Sequence, residues 1–526
     1  MGSPRAWHPP RTAAWVLALA SASGCVYPSR SWRPEESHAW ARPEETTLGK
    51  HVAEQAAKRP GLSVLYPLPS GLDALAARLV LIERAERAID FQYYILHDDV
   101  TGKLVVARLL AAAERGVRVR VLVDDLGSPD LDAWMPALDV HPDIEVRYFN
   151  PLARGPLPKL ARALDSVGRL RRINHRMHNK LLAVDGIAGV VGGRNVGDEY
   201  FDAAEGVNFA DYDLLVGGPV AQELGESFDQ YWNSPYAVGV VAWKRLRRDT
   251  AALEALRVEL EAHVAAQAGG AYADRLRGAA LLEQLTRGEA SAFWASAHAV
   301  ADLPEKVVAF GDEIEATLLI RRAEPYLGRP ERELLISSPY FVPGDKGVAH
   351  LVGLVRAGVR VVVLTNALAA TDVPIVHAGY KRYRHELLAG GVELYELRPR
   401  GAALEQARKA GLFGSSGASL HAKTFVYDRR RVFVGSLNLD PRSVDLNTEL
   451  GVVVASEDLA AEVVASFERA TSPELSWRLS LDEDGDLVWE AMDEGVPMRR
   501  TSEPDTSAWQ RFRVWCLGWL PIESQI

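Results

Sequence analysis

One half-site is written twice in this chain, and that duplication constrains the fold more than any other feature. The first copy reads His178-x-Lys180-x4-Asp185-x6-Gly192-Gly193-x-Asn195. The second reads His421-x-Lys423-x4-Asp428-x6-Gly435-Ser436-x-Asn438, with every spacing preserved across 243 residues. A lone histidine on a strand is more often a satisfied core residue than a catalyst. Two copies sharing five fixed positions leave chance little room, so the repeat points to catalysis.

The repeat extends well upstream of the motifs. Gly116-Val117-Arg118 opens VRVRVLVDD and Gly358-Val359-Arg360 opens VRVVVLTN, while Ile144-Glu145-Val146 matches Val392-Glu393-Leu394. A run ending at Tyr93-Tyr94 matches one ending near Tyr340, and these offsets stay between 242 and 248 residues. Each half alternates β-branched runs with longer helical patterns such as LVVARLLAAAER, a glycine closing each helix. That order predicts βαβ units in a parallel or mixed sheet. The fold class is therefore α/β: two domains packed as a pseudo-dimer, with one shared active-site cleft. The chain's 526 residues are enough for two cores. The expected division is 63–237 for the first domain, 238–305 for a helical connection, 306–475 for the second domain and 476–526 for a tail.

Each His-x-Lys pair begins an apolar run, and alternate residues of a strand share a face. His178 and Lys180 therefore point the same way, as do His421 and Lys423. Each motif aspartate falls at the turn before the next run, where a structural role outweighs a chemical one. The Gly-Gly and Gly-Ser pairs mark a close backbone approach. Together these groups suit phosphodiester chemistry. Lys180, Lys423, Asn195 and Asn438 supply donors to phosphoryl oxygens, work that a metal does elsewhere. One imidazole can attack phosphorus while the other exchanges protons with the leaving or entering oxygen. Each imidazole also needs an orienting carboxylate. Glu449 in NTELGVVV and Asp213 in YDLLVGG are the candidates, with Asp211 the rival to Asp213. No metal motif and no cofactor motif is present. His97 with Asp98 and Asp99, and Asp124 with Asp125, read as polar strand-end clusters, and His175 as a neighbour of the first motif.

The duplicated motif resembles the phospholipase D superfamily, from about Ser63 to Ser472. RMHNKLLAVDGIAGVVGGRNVGDEYF, TNALAATDVPIVHAGYKRYRHELLAGGVELYEL and LHAKTFVYDRRRVFVGSLNLDPRSVDLNTELG are similar to the bacterial cardiolipin synthases, most of all the cardiolipin synthase C branch. The resemblance implies transfer of a phosphatidyl group from phosphatidylethanolamine or phosphatidylglycerol onto phosphatidylglycerol. It places His178, Lys180, Asn195, His421, Lys423 and Asn438 in the active site, with His178 as nucleophile and His421 as general acid/base. A symmetric pair of motifs does not itself fix that order.

At the N-terminus Arg5 and Arg11 precede an apolar stretch, Thr12 to Ala22, and then Ser23-Gly24-Cys25. Too short to span a bilayer, this reads as a signal peptide, residues 1–24, with lipid attachment at Cys25. Residues 25–62 read as a tether. The protein is then expected on a membrane of the bacterial envelope, facing the periplasm or exterior, and the need for an accessory protein is left open. Cys25 and Cys516 form no disulfide framework. Trp509, Phe512, Val514, Trp515, Leu517, Trp519 and Leu520, beside Arg511 and Arg513, suit either an interfacial segment or a helix packed on the core. The preceding LDEDGDLVWEAMDEG reads as solvated. A net charge of −10 disfavours a nucleic-acid partner. A phospholipase D using water is the nearer alternative, and a catalytically dead lipid-binding scaffold would not retain both complete motifs.

Overall fold

A computed structural model describes residues 35–127, 133–151, 174–204, 208–240, 249–280, 292–309, 312–399 and 419–519. The leader, Cys25 and Leu520 lie outside them. The β-branched runs of the first half become β1 (Ser63–Leu68), β2 (Ala88–Tyr93), β3 (Arg118–Asp124), β4 (Ile144–Phe149), β5 (Leu181–Val184), β6 (Ala188–Gly192), β7 (Phe209–Ala210), β8 (Asp213–Gly217) and β9 (Ala237–Gly239). The second half supplies β10 (Phe293–Ala301), β11 (Glu333–Ser337), β12 (Arg360–Asn366), β13 (Glu393–Leu397), β14 (Ser419–Leu420), β15 (Thr424–Tyr427), β16 (Arg431–Gly435), β17 (Leu450–Ala455), β18 (Ser476–Leu481), β19 (Leu487–Asp493) and β20 (Val496–Arg500).

Eighteen of these form one mixed sheet. Outward from its centre the first half runs β1, β8, β6, β5, β2, β3, β4, β9. The second half runs β10, β17, β16, β15, β11, β12, β13, β18, then β19 and β20. The halves join through the antiparallel pair β1–β10, with Val64 opposite Trp294. The order is therefore palindromic about that pair, as a duplicated chain folded as a pseudo-dimer requires. Each half has two parallel pairings, β2–β3–β4 and β11–β12–β13, and each β2-to-β3 type crossover carries a helix. In the first half this is Val100–Glu114, which the Asp99 side chain caps by accepting from Gly102 N at 2.8 Å. Gly116, at φ 86°, and Gly358, at φ 93°, turn the chain into the following strands through a conformation that favours glycine.

Three large apolar clusters pack the described residues. One is built by the first half and one by the second. The third draws on both, packing Leu224 and Phe228 of helix Pro219–Trp232 and Val463 and Phe467 of helix Glu457–Ala470 with strand residues Val216, Val434 and Val452. This shared cluster joins the halves into one body.

Three segments differ from the sequence reading. The stretch 238–305 contains helices Thr250–Gln267 and Ala271–Arg277, but it ends in β10, the counterpart of β1. The second half therefore starts near residue 293 rather than 306. The tail contributes β18 to β20, and in the acidic run Trp489 is buried with its Nε1 donating to Glu396 at 3.0 Å. Hydrophobic alternation there was diluted by charge on the exposed face. Residues 35–62 are not a free tether: they include helix Thr47–Ala56, and the carbonyls of Glu35, Ser37 and His38 accept from Arg147, Arg120 and Arg118. Two of those arginines, Arg120 and Arg147, are buried on β3 and β4 and need acceptors.

Candidate active site

The two motifs meet between the halves through two short parallel contacts. Met177 bridges Thr448, with His178 N donating to Thr448 O at 2.8 Å. On the other side β7 pairs with β14, and His421 N donates to Ala210 O at 2.7 Å. Residues just ahead of each histidine are clamped from β3 and β12. Asp124 accepts from Met177 N at 3.1 Å, and Asn366 exchanges two hydrogen bonds with Leu420, both 2.9 Å. Arg176, fully buried, ties the same segment to Asp125 at 3.0 Å. The polar Asp124-Asp125 cluster at the end of β3 is thus a clamp behind His178.

Each parallel contact carries a carboxylate across the domain boundary. His178 Nδ1 lies 2.9 Å from Glu449 of the second half. His421 Nδ1 lies 2.5 Å from Asp211 of the first half. The expectation of Asp213 is corrected: it is buried in an ion pair with Arg78 at 2.8 Å and accepts from Arg194 N at 3.2 Å. Sheet register gives the reason. Gly192 pairs with Asp213 and Gly435 with Gly451, so Asp213 corresponds to Gly451, and the residues two earlier, Asp211 and Glu449, are equivalent. Five extra residues after Asn195 shift the repeat from 243 to 238 at this point and disguise the match.

The glycine expectation acquires a specific cause. A Cβ on Gly193 would sit 2.2 Å from Asp211 Oδ1, and one on Gly192 2.1 Å from Asp213 Oδ1. Ser436, matched to Gly193, donates its hydroxyl to Glu449 instead. Glu449 is further fixed from behind by Asp302, which accepts its backbone N–H at 2.7 Å and pairs with buried Lys306 at 3.0 Å.

Both lysines share the faces of their histidines. Lys180 Nζ donates to His178 O at 2.5 Å, and Lys423 Nζ lies 2.9 Å from His421 Nδ1. Asn195 accepts from Ile95 N at 3.2 Å and donates to Tyr200 OH at 2.9 Å. Asn438 is buried, and its Oδ1 has no hydrogen-bond partner. Asp185 and Asp428 are not in this cluster. Both sit at φ just above 50° in hairpin turns at the far ends of β5 and β15. Asp185 accepts from the backbone of Glu86, Arg87 and Ala88, and Asp428 from Glu331, Arg332 and Glu333, at 2.7–3.1 Å. Asp185 and Asp428 thus anchor the starts of β2 and β11 rather than face the reacting groups.

Burial dominates the electrostatics. It pushes His178 well below its ordinary value, reinforced by Lys180 and Lys423, and it lowers His421 as well. Lys180 is pushed well down by the same cause and Lys423 down to about 8. The carboxylates diverge: burial raises Glu449 to about 7, whereas His421 and Lys423 outweigh burial and hold Asp211 below the usual range. The site is thus two carboxylate-oriented imidazoles with two weakly held ammonium protons, chemistry suited to an arriving phosphodiester anion.

Several site residues carried weaker sequence signals. Tyr94 lies edge-on to His178 at 5.3 Å, and Tyr200 and Phe209 contact His421 at 5.3 and 5.0 Å. His97 pairs with Glu199 at 3.4 Å, and Tyr340 donates to Asp372 at 2.7 Å. His175 contacts Leu446 O at 3.0 Å, a neighbour as expected. Among the described residues no group of three or more His, Cys, Asp or Glu is placed to hold a metal.

Comparison with known proteins identifies the family. The family model described as "Cardiolipin synthase, PLD-like domain" matches residues 79–232 and 325–471. Cardiolipin synthase C of Escherichia coli K12 is 41% identical over 478 residues, 90% of this chain and 99% of that protein. Cardiolipin synthase B of Shigella flexneri is 27% identical over 388 residues, 74% of this chain and 75% of that one. The solved phosphatidylserine synthase of Haemophilus influenzae shares the fold, with a TM-score of 0.52 at 14% identity, covering 90% of this chain and all of that one. Two matched repeats, one composite site and this likeness along nine-tenths of the sequence lead to one conclusion: the chain belongs to the phospholipase D-like cardiolipin synthase family.

Proposed function

We propose that this protein is a phosphatidyltransferase that makes cardiolipin, moving a phosphatidyl group from phosphatidylethanolamine or phosphatidylglycerol to a second phosphatidylglycerol. The observation that carries the reading is the pair of His–carboxylate dyads, each completed by the opposite half. With Nδ1 engaged by Glu449, His178 presents Nε2 to phosphorus. The P–O bond to the headgroup breaks as the N–P bond forms, and His421 gives its proton to the departing alcohol oxygen. Phosphatidyl-His178 results. A hydroxyl of phosphatidylglycerol then loses its proton to His421 and attacks phosphorus, releasing cardiolipin and free His178. Lys180, Lys423, Asn195 and Asn438 surround the phosphoryl oxygens, whose charge concentrates in both transition states. The assignment of His178 as nucleophile follows the superfamily.

The same intermediate with water as acceptor would yield phosphatidic acid. Incubating purified protein with mixed phosphatidylethanolamine and phosphatidylglycerol vesicles and resolving products by mass spectrometry separates the two. Cardiolipin with release of ethanolamine or glycerol is expected, and the alcohol identifies the donor. Phosphatidic acid alone would replace the transferase reading with hydrolysis. The function places the protein at a membrane surface, consistent with a lipid at Cys25 and an envelope location. Among the described residues no helix is long and apolar enough to cross a membrane.

A further inference from the structure

The C-terminal helix Ala508–Leu517 is held firmly yet presents an aromatic face to solvent. Ser507 and Gln510 form a reciprocal capping box at its start. Val514 is buried with Leu368 and Ala378, and Leu517 packs beside them. Glu503, just ahead of the helix, is buried and ion-paired with Arg384 at 2.6 Å and with Lys381 at 3.5 Å. Arg382 donates to Gly518 O at the other end. This is a mounted element rather than a fraying tail.

Its outer face is a ladder of four rings. Trp509, Phe512, Trp515 and Trp519 are 64%, 51%, 56% and 74% exposed. Successive ring centres lie 5.6, 6.0 and 5.4 Å apart. Among the described residues these rings stay exposed, and an apolar patch of this size marks an interaction surface. Trp-rich faces suit the bilayer interface, where the ring meets acyl chains and the indole N–H meets headgroups. Arg511 and Arg513 alternate with these rings along the helix, in a chain whose net charge is −10, and their charge complements anionic lipid. The helix packs against helix Pro374–Tyr380 and Leu368, the segment that carries Asp372. Leu368 and Ala378 bracket Asp372, which accepts from Tyr340 OH. Burial lowers His421 and Lys423, and the charge of Asp372 offsets a small part of that effect.

We propose that this aromatic ladder docks the protein on an anionic phospholipid bilayer and sets the mouth of the cleft against the headgroups. The proposal deepens the phosphatidyltransferase reading and rests on it for the identity of the surface.

The test uses the full chain in a Cys25→Ala background, so that no N-terminal acyl chain masks the effect. Trp509→Ala/Phe512→Ala/Trp515→Ala should bind 3:1 phosphatidylethanolamine–phosphatidylglycerol vesicles at least about tenfold more weakly. Its turnover on vesicles should fall in proportion, while turnover of short-chain monomeric lipids and the melting temperature stay at the parent level. Trp509→Phe/Trp515→Phe, which keeps the aromatic face, should bind within about twofold of the parent. Vesicle binding by the triple alanine variant equal to the parent's would overturn the proposal and give the ladder to a protein partner. A parent chain that yields no lipid product, but whose binding still depends on the ladder, would leave docking standing and refute the transferase reading instead.

Discussion

The two half-sites share one architecture and differ in electrostatics. In each, a His-x-Lys pair enters a central strand, and a parallel contact brings a carboxylate from the opposite half to Nδ1. At His421 the carboxylate is an aspartate beside a glycine, held anionic by His421 and Lys423. At His178 it is a glutamate bonded to Ser436, backed by the buried Asp302–Lys306 pair and raised to about 7. Duplication accounts for the shared geometry, and divergence around each carboxylate gives the two imidazoles the different surroundings that the proposed nucleophile and acid/base roles call for. Coupling each half's histidine to the other half's acid also makes neither half a site alone.

The largest expected effect follows from that coupling. His178→Ala and His421→Ala should each reduce turnover by about 10⁴-fold or more, because each removes half of one site. Substantial activity in either would break the shared-cleft account. Asp211→Asn and Glu449→Gln should each lower turnover by roughly 10²–10⁴-fold, losing tautomer control of the partner histidine. Asp213→Asn sharpens the comparison from the other side. It leaves buried Arg78 without its counter-charge, so a stability loss of about 3–5 kcal/mol is expected in denaturant unfolding.

The pH response should separate the dyads further. Glu449 is raised above its unfolded value near 4.5, so its contribution to stability is full below that value and is lost as pH rises through about 7. His178 is lowered, so its contribution is present above about 6.5 and lost as pH falls. The two oppose each other in the parent. Glu449→Gln deletes the first, and its melting temperature relative to the parent should therefore fall between pH 7 and pH 5. Parallel melting curves would contradict this. The smallest effect belongs to the turns. Asp185→Ala and Asp428→Ala should lose about 1–3 kcal/mol of stability through unsatisfied backbone N–H groups, with turnover at the optimum temperature nearly unchanged.

Much of this was readable from residue order. The five repeated positions fixed the pseudo-dimer, and strand alternation placed each lysine on its histidine's face. Asp211 was ambiguous because Asp211 and Asp213 have the same parity, and only the pairing of Gly192 with Asp213 decides between them. The β10 strand was obscured by helical composition on its N-terminal side, and β19 by acidic residues on its exposed face. Clamps such as Asn366 on Leu420, or Asp302 behind Glu449, join residues distant in sequence through backbone atoms, which no side-chain pattern records.

Steady-state cardiolipin formation by Asp211→Asn and Glu449→Gln, measured beside their melting temperatures, tests the crossed-dyad claim most directly. At pH 7 both variants should fold near the parent melting temperature and lose at least about 10²-fold in turnover. Parent-level turnover in either one would contradict the claim that each half completes the other's histidine.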